Sequence, residues 1–255
     1  MPLEATPIRN RLLNALPPQD LDRLRPHLES LPLRARRVLH HERTPVEYVY
    51  FVEEGLVSVL VRTGQNSTVE VWLVGCEGIA GVSAVLGVTQ TPYRRLVQVE
   101  GSALRIRAET LRRAMDEMPA LRDVLFAYVH VVLLQTAQSG ACGLRHSLQQ
   151  RLARWLLTAR DRLGREELPL THDMLGKMLG VRRASVTQAL SGLIEAGAVT
   201  TSRGCINIVD GDRLGEASCD CYRTIRLEYE RVFARHVQPA PIRERAFVAR
   251  RAAGA

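Results

Sequence analysis

The sequence changes from strand texture to helix texture near Glu109, and this change limits the fold more than any other feature. Between residues 33 and 107, short runs of β-branched and aromatic residues alternate with turn residues. Strands at intervals of ~8–12 residues are typical of an antiparallel sandwich or barrel. We predict a turn at Glu54-Gly55 and two separate strands at 96–100 and 103–107. Short helices are predicted over 10–31. The separation of strands from helices indicates an α+β fold.

Helical periodicity follows the strands. A short helix is predicted over 109–115, and a longer one runs from Pro119 through Gln135. Its apolar stripe has two interpretations, packing on the β-domain or pairing with a second copy of the chain. We favour pairing, because a small β-domain rarely needs so long an apolar cover. The residues assigned to this dimer contact are Leu121, Leu125, Tyr128 and Val132. Another amphipathic helix is predicted over 144–163.

The positive charge is concentrated in the second half of the chain. Residues 1–139 contain 16 basic and 15 acidic residues, whereas residues 140–255 contain 19 basic and 12 acidic ones, and the whole chain carries +8. Lys177 is the only lysine. Codon bias explains the preference for arginine but not why the excess lies in one half. A near-neutral half joined to a basic half is typical of a polyanion-binding module attached to another domain.

Residues 168–198 predict a helix-turn-helix. Thr171 has the side chain of a helix N-cap, and Gly180 supplies the permissive backbone for a tight turn. A second helix begins near Arg182 and buries Val186 and Leu190. In this geometry the second helix lies in the DNA major groove. An ordinary helical hairpin with a polar outer face is the alternative.

The outward residues of this segment fit double-stranded DNA as the partner. Arginine can bind guanine, and glutamine can bind adenine, through paired hydrogen bonds. The residues predicted to read bases are Arg182, Arg183, Ser185, Thr187 and Gln188. Thr171, Lys177 and Ser191 are predicted to contact phosphates. A hairpin follows over 199–209 with Arg203 at its tip, which makes the unit a winged helix and adds a phosphate contact.

Several segments together resemble one family. They are Tyr50-Phe-Val-Glu-Glu-Gly-Leu-Val-Ser58, Gly75-Cys-Glu-Gly-Ile-Ala-Gly81, Gln150-Arg-Leu-Ala-Arg-Trp-Leu-Leu157, Leu179-Gly-Val-Arg-Arg-Ala-Ser-Val-Thr187 and Cys219-Asp-Cys-Tyr222, the last similar to a Cys-Glu-Cys-Tyr signature of one branch. Over nearly its whole length the chain resembles the Crp/Fnr transcription regulators. The resemblance implies a cyclic-nucleotide-binding-like antiparallel β-roll at 1–117, a dimerisation helix at 118–140 and a winged helix at 141–238, followed by a basic tail at 239–255. It also implies a homodimer on a near-palindromic site and RNA polymerase as a partner.

The sequence departs from that family at the effector pocket. Members that bind cyclic AMP carry a Gly-Glu pair for the ribose and an Arg-Ser or Arg-Thr for the phosphate. Here Val82 follows Gly81, and neither Arg94 nor Arg95 precedes Ser or Thr. We therefore expect no usual cyclic-AMP binding, and an effector, if one exists, is unknown. Gly81, Arg94 and Arg95 remain weak pocket candidates. In the second helix, Ala184 replaces a glutamate of many members and predicts a different operator preference.

No metal or cofactor is expected. Cys219 and Cys221 form a C-x-C pair, but a zinc site needs about four ligands and no third or fourth is evident. Packing of the pair against the winged helix is the favoured interpretation. Iron–sulfur members place cysteines near the N-terminus, whereas the first here is Cys76. His130, on an apolar helix face, is interpreted as a core or interface residue.

Other function classes find little support. The sequence contains no Ser/His/Asp arrangement, phosphate loop or metalloprotease helix, so no enzyme is expected. The alternative to a DNA-binding regulator is a small-molecule or redox sensor module in which the helix-turn-helix is mainly structural. No secretory signal and no apolar run of ~20 residues is visible, and the five dispersed cysteines favour reduced thiols. A cytoplasmic location without membrane insertion is therefore expected.

Overall fold

A computed structural model describes residues 7–64 and 67–234 of the chain. Its N-terminal part consists of an antiparallel β-domain and the helices that pack on it. These elements are α1 Arg11–Asn14, α2 Pro18–Leu24, β1 Glu29–Leu33, β2 Val38–His40, β3 Tyr48–Arg62, β4 Thr68–Val74, β5 Ile79–Ala80, α3 Val82–Val85, β6 Arg94–Arg107, α4 Ala108–Glu117 and α5 Pro119–Arg145. The predicted initial helices thus end at a 3₁₀ turn over Arg25–His27, and β1 begins at Glu29.

The C-terminal part is a small three-stranded sheet surrounded by helices. Its elements are α6 Leu148–Leu163, β7 Glu167–Leu168, α7 His172–Leu179, α8 Arg183–Glu195, β8 Val199–Ser202, β9 Cys205–Ile208, α9 Gly211–Glu216 and α10 Cys221–Phe233. The expected α+β architecture of β-domain, long helix and winged helix is confirmed. The predicted basic tail at 239–255 lies outside the described residues.

The β-domain is one antiparallel sheet in the order β1-β6-β3-β4, with β2 added to β6 and β5 added to β3. Two strands in it are longer than the sequence indicated. Residues 48–62 form one strand, so the predicted turn at Glu54-Gly55 is wrong, and 96–100 and 103–107 are likewise one strand. Gly55 and Gly101 instead mark irregular register between β3 and β6. A Cβ on Gly101 would stand 2.2 Å from the Glu54 carbonyl oxygen, so only glycine permits this close approach.

The long helix also continues further than expected. α5 ends at Arg145, and α6 begins only at Leu148, where Ser147 and Gln150 form a capping box. Leu144 therefore belongs to α5 and not to the following helix. By length and composition α5 is apolar enough to cross a membrane. Nine of its 27 side chains are buried within the described structure.

The four residues assigned to a dimer contact lie on the inner face of α5. Leu121, Leu125, Tyr128 and Val132 are at most 4% exposed and join the hydrophobic core of the β-domain. They are already covered within one chain, so their assignment to an interface between copies is corrected. The two interpretations, packing on the β-domain and pairing with a second copy, both assumed that α5 has one apolar face. In the structure α5 also carries exposed apolar residues outside that buried face.

A buried arginine links the two parts of the molecule. Arg162, near the end of α6, pairs with Glu77 at 2.9 Å, and both side chains are at most 7% exposed. Its guanidinium also donates to the Leu73 carbonyl oxygen and, at 2.8 Å, to Gln135 Oε1 on α5. Tyr229 of α10 lies 3.4 Å from the same guanidinium. Arg162 thus holds α6 against the sheet, α5 and α10 together.

We predict that Arg162→Met destabilises the protein by about 3–5 kcal/mol, because the Glu77 carboxylate would stay buried without its cation. Urea unfolding at neutral pH measures the loss. Arg23→Met is the control, since Arg23 and Glu117 form an exposed ion pair worth less than about 1 kcal/mol. Equal losses in the two variants would contradict the linking role of Arg162.

Candidate nucleic-acid interface

α7 and α8 form the helix-turn-helix that the sequence predicted. The Thr171 side chain accepts a hydrogen bond from the Met174 amide at 3.2 Å and so caps α7. Gly180 ends α7 in the left-handed region with φ of 68°. The chain turns tightly enough that a Cβ on Gly176 would meet the Val181 carbonyl oxygen at 2.9 Å. Val186 and Leu190 are buried beneath α8, which fixes the outward face of this helix.

The N-terminal end of α8 presents unpaired positive charge. Arg182 and Arg183 are exposed, and neither forms an ion pair within the described part of the chain. Gln188 is exposed one turn further on, and Ser185 is half-buried. Thr187 is exposed but held in place, because its hydroxyl bonds the Arg183 carbonyl oxygen at 3.2 Å and lies 2.9 Å from His172 Nδ1.

The residues expected to contact phosphates lie on both helices, with Thr171 at the N-cap of α7, Lys177 on α7 and Ser191 in the second half of α8. Lys177 is exposed and lies 2.8 Å from Asp173, an i,i+4 pair that solvent screens. The Ser191 hydroxyl donates to the Thr187 carbonyl oxygen at 3.1 Å. Sequence reasoning missed His172, the first residue of α7, whose contact with Thr187 joins the two helices. In the sequence, its position directly after the helix cap Thr171 could have indicated that His172 lies at the exposed start of α7.

The wing is present as predicted. β8 and β9 pair antiparallel from Val199–Ile208 to Ser202–Cys205, and β7 adds a third strand. Gly204 in the turn has φ of 77°, a conformation that favours glycine. Arg203 beside it is exposed and has no ion-pair partner among the residues described.

Comparison with protein families agrees with this geometry. The cyclic nucleotide-binding domain model matches residues 31–118, and the Crp-like helix-turn-helix domain model matches residues 150–217. The chain belongs to the Crp/Fnr family of transcription regulators. The expectation of a Crp/Fnr-type transcription regulator with a Crp-like helix-turn-helix domain is thereby confirmed.

Several solved bacterial protein structures share the fold. FixK2 from Bradyrhizobium japonicum superposes with a TM-score of 0.66 at 19% identity, covering 75% of this chain and 98% of FixK2. A Crp/Fnr-family transcriptional regulator from Eubacterium rectale gives 0.61 at 19% identity, covering 81% and 96%. The c-di-GMP-responsive global regulator CLP from Xanthomonas campestris gives 0.62 at 14% identity, covering 74% and 98%. A comparison with curated protein sequences gives no significant match.

The three effector-pocket candidates of this Crp/Fnr regulator do not form one set of contacts in the described structure. Gly81 packs against Val49 with φ of 127°. Arg94 bonds Glu42 at 3.3 Å. Arg95 is 1% exposed and donates to Thr91 Oγ1 at 3.0 Å, while its Nε has no partner among the described residues. Burial lowers the pKa of Arg95 to about 10.

The Cys219–Cys221 pair lies where the sequence did not place it. Both thiols are buried at the start of α10, next to Cys142 and His146 at the end of α5. We call Cys142, His146, Cys219 and Cys221 the cysteine–histidine cluster. Packing against the winged helix is therefore corrected, and so is the statement that third and fourth ligands are absent. Cys142 in the last turn of α5 and His146 directly after the helix stand four positions apart, and this spacing was a signal available in the sequence.

A second apolar surface on α5 was also missed. Phe126, Leu133 and Leu144 are 47%, 65% and 87% exposed. Together with other exposed residues they recur at intervals of four and three along the helix. We call this set the outer stripe: Phe126, His130, Leu133, Ala137, Gly140 and Leu144. His130 in it is exposed and bonds Glu228 of α10 at 3.1 Å, so the core interpretation of His130 is wrong and the interface interpretation stays a prediction.

Burial and the nearby Arg95 lower the pKa of His40 to about 4. Because a buried neutral histidine must take up a proton in acid, its stabilising contribution is complete above pH 6.5 and is lost as the pH falls toward 4. We predict that the free energy of unfolding falls between pH 6.5 and pH 4 in both proteins. The fall should be smaller in His40→Gln than in the parent protein, by up to about 3 kcal/mol. Urea unfolding across the pH range is the measurement. The exposed His27→Gln variant is the control and should follow the parent.

Proposed function

We propose that this Crp/Fnr regulator binds double-stranded DNA sequence-specifically as a homodimer. The observation that carries the proposal is the N-terminal end of α8, where Arg182 and Arg183 are exposed without an ion pair in the described chain. Arginines left unpaired at this end of a second helix are free to enter a major groove. Dimers with this geometry bind half-sites about one helical turn, ~34 Å, apart.

The side chains divide into base-reading and phosphate-binding groups in this proposal. Arg182, Arg183 and Gln188 are long enough and free enough to reach base edges. Ser185 is half-buried, and the hydroxyl of Thr187 is engaged by the Arg183 carbonyl oxygen and His172, which leaves the Thr187 methyl group for an apolar contact with a base. Thr171 at the N-cap of α7, Lys177 of α7, Ser191 of α8 and Arg203 of the wing would contact the DNA backbone. Ala184 contributes a methyl group where a carboxylate would accept from cytosine.

The outer stripe is our proposed dimer seam. Its spacing of four and three residues is the heptad pattern of paired helices, and Gly140 would allow close approach. A second copy of the chain supplies the same stripe about a twofold axis. Without a partner, the exposed apolar side chains of the outer stripe would contact water, which is energetically unfavourable. Apolar patches of this kind commonly mark interaction sites.

Three further expectations rest on family membership. A transcription regulator works in the cytoplasm, and RNA polymerase is a partner in its action. A small-molecule effector, if the protein has one, does not use the usual cyclic-AMP contacts, because Val82 supplies no carboxylate and Arg94 is engaged by Glu42. The alternative of a sensor with a structural helix-turn-helix gains no support from the exposed arginines of α8.

DNA selection with the purified protein tests the proposal, with and without candidate effectors and under reducing and oxidising conditions. We expect enrichment of a near-palindromic sequence. Arg183→Ala should relax the preference at one base pair and cost ~1–3 kcal/mol there. Arg203→Ala should instead weaken binding to all sequences equally. It should also reduce by about 1 the slope of the logarithm of the binding constant against the logarithm of the salt concentration.

Arg113→Ala is the matched control, because Arg113 is an exposed arginine of α4 paired with Glu109 and far from the winged helix in the chain. Its affinity and sequence preference should match those of the parent protein. Selection without any enriched sequence would refute sequence-specific binding.

We predict that Leu133→Glu converts the dimer into monomers without unfolding, because two carboxylates would face each other across the seam. Light scattering after size exclusion measures the mass, and circular dichroism checks the fold. Leu227→Glu is the control, since Leu227 is 53% exposed on α10 and outside the stripe. A dimer that persists in Leu133→Glu, or dissociates equally in Leu227→Glu, would place the interface elsewhere.

A further inference from the structure

The cysteine–histidine cluster brings four metal-binding side chains to one point. Cys142 and His146 come from the end of α5, and Cys219 and Cys221 come from the start of α10, more than 70 residues later. One ligand atom from each lies within 4.8 Å of all the others. The three thiols are buried and form a separate small cluster of their own. His146 is half-buried at its edge.

The distances in the cluster match a tetrahedral ion. Cys142 Sγ and Cys219 Sγ are 3.5 Å apart, and Cys221 Sγ and His146 Nδ1 are 3.6 Å apart. Two sulfurs bound to one zinc ion at ~2.3 Å would be ~3.8 Å apart, and a sulfur and an imidazole nitrogen ~3.6 Å. An iron–sulfur cluster distributes its four protein ligands over two or more iron atoms, so ligands of different irons would lie farther apart than the 4.8 Å that encloses all four atoms here. The spacing therefore fits a single ion.

The chemistry of the surroundings also suits such an ion. Three thiolates and a neutral imidazole on Zn²⁺ carry a net charge of about −1. Gln138 Nε2 lies 3.1 Å from Cys221 Sγ and would donate a hydrogen bond to its thiolate. Cys221 is the first residue of α10, so the positive end of the helix dipole lies beside the sulfurs.

We propose that Cys142, His146, Cys219 and Cys221 bind one Zn²⁺ ion. The ion would join the start of α10 to the last turn of α5. His146 also ends α5, and the next residue, Ser147, begins the capping box of α6. The site would therefore fix the junction through which the long helix continues into the winged helix. This structural role is independent of which DNA sequence the protein binds.

Metal analysis of the full chain, purified without an affinity tag under reducing conditions, tests the proposal. We expect about one zinc ion per chain in the parent protein. Cys205→Ser should retain it, because Cys205 lies in the wing and outside the cluster. Cys142→Ser and Cys219→Ser should each retain less than about a tenth of it. Replacement with Co²⁺ should give sulfur-to-cobalt charge-transfer bands that are weaker in either serine variant.

A pair of substitutions at the edge of the site separates ligation from folding. His146→Ala should lose the metal, whereas His146→Cys restores a fourth ligand and should retain it. Chelation should lower the melting temperature of the parent protein but not that of His146→Ala. This pair decides the question even where a buried cysteine variant fails to fold.

Three results would overturn the proposal. The first is a parent protein that takes up no zinc after incubation with the ion. The second is equal zinc content in the parent, Cys219→Ser and His146→Ala, which would locate the metal elsewhere. The third is a stable Cys142–Cys219 disulfide, detected by mass spectrometry of protein kept under reducing conditions, in place of bound metal.

Discussion

The buried guanidinium of Arg162 is the interaction on which the arrangement of the two parts depends. It meets Glu77 after β4, the Leu73 carbonyl oxygen of β4 and Gln135 of α5. A charge removed from water is tolerated only when its partners are all in place, so intermediate positions of α6 are costly. α6 in turn packs on α8. Together with the hydrogen bond from Trp155 of α6 to Glu70 of β4 and the packing of α7 on β4, Arg162 fixes the orientation of α8 relative to the β-domain.

α5 has two apolar sides, and each has a different role. The inner side, with Leu125 and Tyr128 fully buried, completes the core of the β-domain. The outer stripe, with Leu133 and Leu144, stays exposed in the single chain. Helical periodicity finds apolar residues on a helix but cannot say which side meets its own domain. For this reason the sequence pattern assigns the dimer contact to residues of the inner side, whereas the exposed outer stripe is the side that we propose for pairing.

Features with a local cause could be predicted from the sequence, and features that depend on distant contacts could not. Thr171 caps α7 and Gly180 ends it because each acts on backbone within four residues. Gly55 resembles a turn glycine in sequence, but it serves close packing against the Val99 carbonyl oxygen, 44 residues away. The cysteine–histidine cluster was hidden for the same reason, since its two halves meet only when α10 packs on α5.

The charge asymmetry gains a sharper meaning when ion pairs are considered. Residues 235–255 contain five arginines and one glutamate, which accounts for +4 of the +7 in the second half. In the described remainder, Arg162, Arg213 and Arg226 have ion-pair partners, whereas Arg145, Arg165 and Arg223 are exposed without one, as are Arg182, Arg183 and Arg203. Net charge thus supports general attraction to DNA. In our proposal, recognition depends on where the exposed arginines lie, at the start of α8 and on the wing, and not on the lack of an ion pair alone.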